Sequence, residues 1–255
     1  MTIRTLTAGG VATIEIARPE KRNALTLSMY EAMLAALQAA RSDPAVRALL
    51  ITGQPGVFTA GNDLEDFLKR PPVGEDSPVF RLMREFSACD KPIIAAVTGV
   101  AVGIGVTILL HCDFVYVSSE ARLVMPFVSL GLVPEFGSSW LLPRLMGHVR
   151  AAEKLLLGDP FTAAEAVELG LANAVLPPTE VLPHARAVAE RFNALPPGAV
   201  RAAKRLLSGP LRESVERAMQ TEGNVFIERL SSPEAREALQ AFLEKRKPDF
   251  SKVSS

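Results

Sequence analysis

Apolar and polar positions change rhythm along this chain, and each change marks an element. Ile3–Ala8 and Val11–Ala17 alternate with a period of two around Gly9-Gly10, which predicts a β-hairpin. Arg18–Ala24 is a polar loop. The rhythm then lengthens: Met29, Met33, Leu34 and Leu37 share one helical face, with Ser28 and Glu31 spaced as a capping box. Ala45–Thr52 is apolar enough for a strand buried on both faces. Gly53–Leu64 is a glycine-punctuated loop leading into a helix. Pro71–Ser77 is a polar break, expected to be the most mobile part of the chain. The pattern of Pro78–Ala88 predicts another helix.

The organising stretch is Pro92–Asp113, PIIAAVTGVAVGIGVTILLHCD, with no Lys, Arg, Asp or Glu between Lys91 and Asp113. Ile93–Val97 reads as a buried strand and Val106–Leu110 as a buried helix, with Gly99, Gly103 and Gly105 between them. A strand that turns sharply into a helix leaves the first helical N–H groups without internal partners, and these suit a negative oxygen. Two plainer readings compete. The run is near the lower length limit for a membrane span, but Pro92 and the glycines interrupt it. A buried strand and helix with glycines serving close packing is the other. A dinucleotide fingerprint fails, because the third glycine is missing at its spacing.

Further along, Phe114–Val117 and Arg122–Met125 read as strands, and Gly131–Ser139 as a turn-rich loop before a helix through Leu142. Arg150–Leu157 is helical, Thr162-Ala163-Ala164-Glu165 forms a capping box for a helix ending at Gly170, and Asn173–Leu176 is a last strand. From Glu180 onward only helical patterns remain. Strands alternating with helices, then helices alone, predict an α/β core over 1–195 and a C-terminal helical region over 196–255.

Composition narrows the function without naming it. The 255 residues are 48% hydrophobic and 22% charged, with zero formal net charge, as in an ordinary globular protein. That balance gives no electrostatic case for nucleic acid or an anionic membrane. Cys89 and Cys112 lack metal-ligand spacing and do not suggest a disulfide framework, so no metal is expected. No secretory signal opens the sequence and Lys252-Val253-Ser254-Ser255 is not a peroxisomal address, so the cytoplasm is the expected compartment.

Three loops, Phe58-Thr59-Ala60-Gly61-Asn62-Asp63-Leu64, Gly99–Gly105 and Gly131-Leu132-Val133-Pro134-Glu135, resemble those of the crotonase, or enoyl-CoA hydratase/isomerase, superfamily. The ending Phe242–Pro248 is also similar, so the resemblance spans almost the whole chain. It implies a crotonase-like stacked ββα superhelix with a C-terminal helical trimerisation region, and a homotrimer or hexamer. It also implies an acyl-CoA thioester as substrate, with no separate cofactor, since coenzyme A is part of that substrate. By the same resemblance the thioester oxygen lies between the backbone N–H groups of Asn62 and Ile104. Ala60, Gly61, Asp63, Leu64, Gly103 and Ala24 line the substrate. Lys21 and Arg22 are candidates for the CoA phosphates, with Lys245 and Lys247 of a neighbouring subunit as weaker ones. Asp63 also reads as a helix cap or loop tie.

Hydratases of this family use two glutamates, at positions that here carry Thr107 and Phe127, and neither serves as a general base at neutral pH. Glu135 is the acid left in a catalytic loop. The pattern is closest to the Δ3,Δ2-enoyl-CoA isomerase branch, in which one glutamate moves a proton from C2 to C4. Leu132 and Phe136 are apolar neighbours expected to raise the Glu135 pKa. The alternatives are isomerisation of a ring-derived acyl-CoA, hydration through an unusual water site, or an acyl-CoA-binding paralogue without turnover. His111, His148 and His184 have no apparent Ser or Cys partner and read as structural or exposed. Phe67, Phe80, Met83 and Trp140 line a pocket or belong to the core.

Overall fold

The computed structural model describes residues 2–72, 74 and 76–252. The Pro71–Ser77 break therefore falls partly outside the described residues, as do Val253, Ser254 and Ser255. The hairpin forms as its alternation predicts: β1 (Ile3–Ala8) pairs antiparallel with β2 (Val11–Ile16), Ala8 opposite Val11. Gly9 and Gly10 turn between them at φ of 56° and 72°, the left-handed pair that matches strand twist.

From β2 the chain lays down strands in pairs. β3 (Ala48–Thr52), β5 (Ile93–Val97) and β7 (Phe114–Ser118) run parallel in one sheet. β4 (Val57–Thr59), β6 (Val100–Val102) and β8 (Arg122–Val124) run parallel in a second. Each turn of the chain thus gives one strand to each sheet before a helix returns it. The helices are α2 (Leu64–Lys69) and α3 (Pro78–Ser87) after β4, α4 (Ile104–Thr107) after β6, and α5 (Ser138–Met146) after β8. With β9 (Phe161–Thr162) and β10 (Ala174–Leu176), the described residues form sheets ordered β1-β2-β3-β5-β7-β10 and β4-β6-β8-β9. Every residue of β3 and β5 is buried, which is why both read as unbroken apolar runs.

The remaining helices are α1 (Leu27–Ser42), α6 (His148–Ala152) with a π turn over Glu153–Leu157, α7 (Ala163–Glu168), α8 (Val181–Glu190), α9 (Pro197–Leu230) and α10 (Pro233–Leu243). The Thr162–Glu165 capping box closes as expected, with Glu165 N–H on Thr162 Oγ1 at 3.2 Å and Thr162 N–H on Glu165 Oε2 at 2.8 Å. Val215, Met219 and Phe226 of α9 join the main core. Lys204 of α9 holds Asp113 Oδ2 at 2.6 Å and the Lys91 carbonyl at 2.8 Å, fixing the helix to the strand ends.

Two expectations need correction. The Ser28–Glu31 capping box does not form: α1 starts at Leu27, whose N–H donates to Asp66 Oδ2 of α2 at 2.7 Å. A side chain from another element has taken the place of the local cap. The central stretch is also more divided than its pattern suggests, because β6 stands between Gly99 and Gly103 and α4 begins at Ile104 rather than Val106. Three residues are too few to show a period. Gly99 makes the division necessary: at φ 73°, a Cβ there would lie 1.8 Å from the Gly56 carbonyl oxygen. No helix among the described residues is long and apolar enough to cross a membrane.

Candidate active site

Main chain builds one side of the site. Leu25 and Asn62 form an isolated parallel bridge, with Leu25 N–H on the Gly61 carbonyl and Asp63 N–H on the Leu25 carbonyl, each at 2.8 Å. A residue between two such bonds turns its own N–H to the opposite side. Ala60 N–H is taken by the Arg22 carbonyl at 3.0 Å and Gly61 N–H by Thr59 Oγ1 at 3.1 Å. Ile104 opens α4 after Gly103 at φ 55°, and Gly103 offers no side chain to cap it. As the first helical residue, Ile104 has an N–H with no intrahelical partner. These two loops touch. A Cβ on Gly61 would lie 3.0 Å from the Val102 carbonyl oxygen, and one on Gly105 would lie 2.6 Å from Thr59 Cγ2.

Glu135 faces this side through α4. Thr107, one helical turn beyond Ile104, donates from Oγ1 to Glu135 Oε1. Glu135 is 5% exposed, and its Oε2 has no hydrogen-bond partner among the described residues. Burial pushes the Glu135 pKa up to about 8; the Thr107 hydrogen bond opposes this and the Glu222 carboxylate adds to it. Leu132 and Phe136 are both buried beside it in the sequence, as their apolar character predicts. Tyr30 supports the first side: its Oη donates to Asn62 Oδ1 at 2.5 Å. Its phenol is held well above the usual range, first by burial and then by the Glu135 charge. Phe127 is buried with its Cε1 3.8 Å from where a Cβ on Gly103 would lie. Thr107 and Phe127 therefore both stand at the site, and neither brings a carboxylate.

The turn carrying Glu135 is strained and held from two directions. Phe136 adopts φ 61° and Gly137 φ 73°; such a conformation costs a bulky residue about 1–3 kcal/mol. The Phe136 carbonyl accepts from His111 Nε2 at 2.8 Å, and the His111 ring stacks on Phe136 at 4.0 Å between centroids. Burial pushes the His111 pKa down to about 4, so the ring is neutral and its one proton sits on Nε2, facing the carbonyl. Glu222 of α9, itself buried, accepts from Gly137 N–H at 2.6 Å and Ser139 N–H at 2.8 Å. Burial raises its pKa as well.

The other candidates fall around this centre. Asp63 caps α2 by accepting from Asp66 N–H at 3.1 Å and pairs with Arg18 Nη1 at 2.6 Å. Burial alone pulls its pKa up, but Arg18 and the Asp66 N–H outweigh burial and hold it low. Leu64 begins α2, and the Ala24 carbonyl accepts from Arg18 at 2.9 Å. Lys21 and Arg22 are exposed on the preceding turn, and Lys245 and Lys247 are exposed past α10. Phe80 and Met83 line a cleft of about 350 Å³ between α3 and α9, with Met219, Gly223 and Ile227 opposite. Phe67 belongs to the core, and Trp140 lies under the Arg144 guanidinium. His148 and His184 are exposed, as expected. Tyr30, His111 and Glu222 escaped notice as site residues. The signal for Glu222 was its place on the apolar stripe of Val215, Met219 and Phe226.

Comparison with known proteins agrees with this architecture. The enoyl-CoA hydratase/isomerase family profile matches residues 7–253, and the chain belongs to that family. It is 36% identical over 244 residues to human enoyl-CoA delta isomerase 2, covering 93% of this chain and 62% of that protein's length. It is also 36% identical over 248 residues to a crotonyl-CoA hydratase of Syntrophomonas wolfei subsp. wolfei, covering 94% of each. The fold superposes on the structure of Pseudomonas aeruginosa OdaA with a TM-score of 0.93 at 52% identity, over 95% of this chain and 98% of that one. The fold is thus crotonase-like, ending in the long helix α9 and the shorter α10.

Proposed function

We propose that the protein is a Δ3,Δ2-enoyl-CoA isomerase. The observation that carries this reading is a buried carboxyl, Glu135, with Oε1 held by Thr107 and Oε2 without a hydrogen-bond partner among the described residues, beside hydratase positions occupied by Thr107 and Phe127. The thioester oxygen accepts from the N–H groups of Asn62 and Ile104. Glu135 Oε2 takes a proton from C2 of the 3-enoyl thioester, and the electron pair spreads over the dienolate, with its charge on the thioester oxygen. The same oxygen returns the proton to C4 as the double bond settles between C2 and C3. No water is consumed. A carboxyl with pKa near 8 suits both steps, since it neither holds nor loses its proton too strongly near neutral pH. Glu222 gives little support to hydration, because both its oxygens are spent on main-chain N–H groups.

Lys21 and Arg22 are assigned to the CoA phosphates and the cleft between α3 and α9 to the acyl tail. Assembly as a trimer or dimer of trimers in the cytoplasm belongs to the same proposal. Exposed Val149, Leu156 and Leu157, at 80%, 63% and 66%, support a buried subunit contact there. Light scattering of the purified protein tests the assembly. For the activity, 3-hexenoyl-CoA is supplied and the absorbance of the conjugated product followed. Glu135→Gln lowers the rate by about 10²–10⁴-fold with the fold intact. Undiminished turnover in that variant overturns the assignment. Turnover of cyclic esters alone indicates the ring-derived substrate, and loss of conjugation from a 2-enoyl thioester indicates a hydratase. Thioester binding without α-proton exchange in deuterated water indicates a binding protein.

A further inference from the structure

We infer that His111 and Glu222 are positioning residues that clamp the Phe136–Gly137 peptide from its two ends and thereby aim the Glu135 carboxyl. The inference rests on Glu135 being the base. One peptide unit receives both contacts: its C=O accepts from His111 Nε2–H at 2.8 Å, and its N–H donates to Glu222 Oε2 at 2.6 Å. This unit is the second peptide after Glu135, in the middle of the turn that Ser138 N–H closes on the Glu135 carbonyl at 3.2 Å. It joins two residues in the left-handed region, Phe136 at φ 61° and Gly137 at φ 73°. A bulky aromatic does not hold that conformation unaided, and relaxing φ of Phe136 turns the clamped peptide relative to Glu135. With Glu135 kept on Thr107, that turn carries the C=O and N–H away from His111 and Glu222, so it breaks both contacts together. The clamp therefore opposes the relaxation at Phe136 that would swing Glu135 away.

The two ends come from elements that already meet at the site. His111 closes the turn Ile108–His111 that continues α4, so one segment supplies the Ile104 N–H, the Thr107 hydroxyl on Glu135 and one jaw of the clamp. Glu222 lies on the stripe where α9 otherwise presents Val215, Met219 and Phe226 to the core. A buried carboxylate there is costly, and its partners are main-chain N–H groups rather than a cation. Glutamate also fits the geometry better than its amide. Two carboxylate oxygens accept from Gly137 and Ser139 at once, whereas glutamine has a single acceptor oxygen. The titratable groups that act on the clamp and its acid are Glu222 and Tyr30 of α1, each coupled to Glu135, and Lys204 of α9, whose charge opposes protonation of His111.

The test uses His111→Phe, which keeps a ring against Phe136 without the N–H, His111→Gln, which keeps a donor, and Glu222→Gln. Circular dichroism sets the folded fraction for each. In His111→Phe and Glu222→Gln, kcat for 3-hexenoyl-CoA per folded molecule falls about 10–10²-fold, with KM within about twofold. His111→Gln recovers part of the loss. The double variant is no worse than about the poorer single, since both contacts act on one peptide. Glu222→Gln also moves the Glu135 titration to lower pH by removing a neighbouring charge. That titration is read by infrared difference spectra as the protonated carboxyl band absent from Glu135→Gln, so it needs no turnover. Unchanged kcat per folded molecule, or single losses that simply multiply, overturns the clamp. If the wild-type protein turns over no 3-enoyl thioester, the isomerase reading fails on its own. An unaltered Glu135 band in both His111→Phe and Glu222→Gln then overturns the clamp independently.

Discussion

The 60–63 and 103–107 loops meet the 134–139 turn at one place, but the two are held there by different means. The first pair is main chain against main chain. Gly61 and Gly105 allow approaches that a Cβ would block, and the Leu25 bridge turns the Asn62 peptide with two 2.8 Å bonds. The 134–139 turn is held by side chains from distant segments: Thr107, His111 and Glu222. A site half backbone and half side chain divides its tolerance to change accordingly. Donor groups on the first half survive almost any side-chain replacement, while the acid depends on particular residues far along the chain.

The largest effect is expected where that tolerance is bypassed. Ile104→Pro removes the N–H at the one helical position where proline is accepted, so rate falls about 10²–10³-fold while the fold survives. Ile104→Val, which keeps the N–H, stays close to wild type; equal losses in both would mean the side chain, not the donor, matters. On the acid half, kcat/KM rises with pH toward a plateau governed by the Glu135 pKa near 8, because the base must be ionised. Thr107→Val removes the hydrogen bond that favours the carboxylate. It shifts this limb to higher pH and costs about tenfold at pH 7, and a pH–rate profile with an unmoved limb would contradict it. Stability follows the same proton. The folded chain retains a proton that the unfolded chain releases, so this contribution is full below pH 4.5 and fades as pH rises through about 8. Glu135→Gln flattens that slope in chemical denaturation at several pH values. The smallest effect is Tyr30→Phe, which frees the Asn62 side chain but leaves its N–H in place, for a loss of about two- to tenfold in kcat.

The same division explains what could be read from the sequence. The hairpin, β3, β5 and the Thr162 cap were legible because each depends on local rhythm or on a capping pair. The glycines marked where backbones approach, while Asn62 and Ile104 were named through the resemblance of their loops to the crotonase superfamily. Glu135 stood out as the acid left in its loop. The remaining partners were hidden for a physical reason: Tyr30, His111 and Glu222 lie 105, 24 and 87 residues from Glu135, and no local pattern links them. The Ser28–Glu31 cap failed in the same way, because Asp66 of α2 took the Leu27 N–H. β4 and β6 were missed because strands of three residues, Val57–Thr59 and Val100–Val102, carry no measurable alternation.

In α9, Lys204 seats on the strand ends and Glu222 on the turn that carries the acid. Eighteen residues separate them, which is about five complete helical turns, so both point the same way. Adding or removing a single residue in between would rotate one relative to the other by about 100°. With Lys204 still seated, Glu222 would face away from its peptide. The length of this rod is therefore more constrained than its composition: exposed Leu206 and Leu207 can be exchanged, but the count from anchor to anchor cannot.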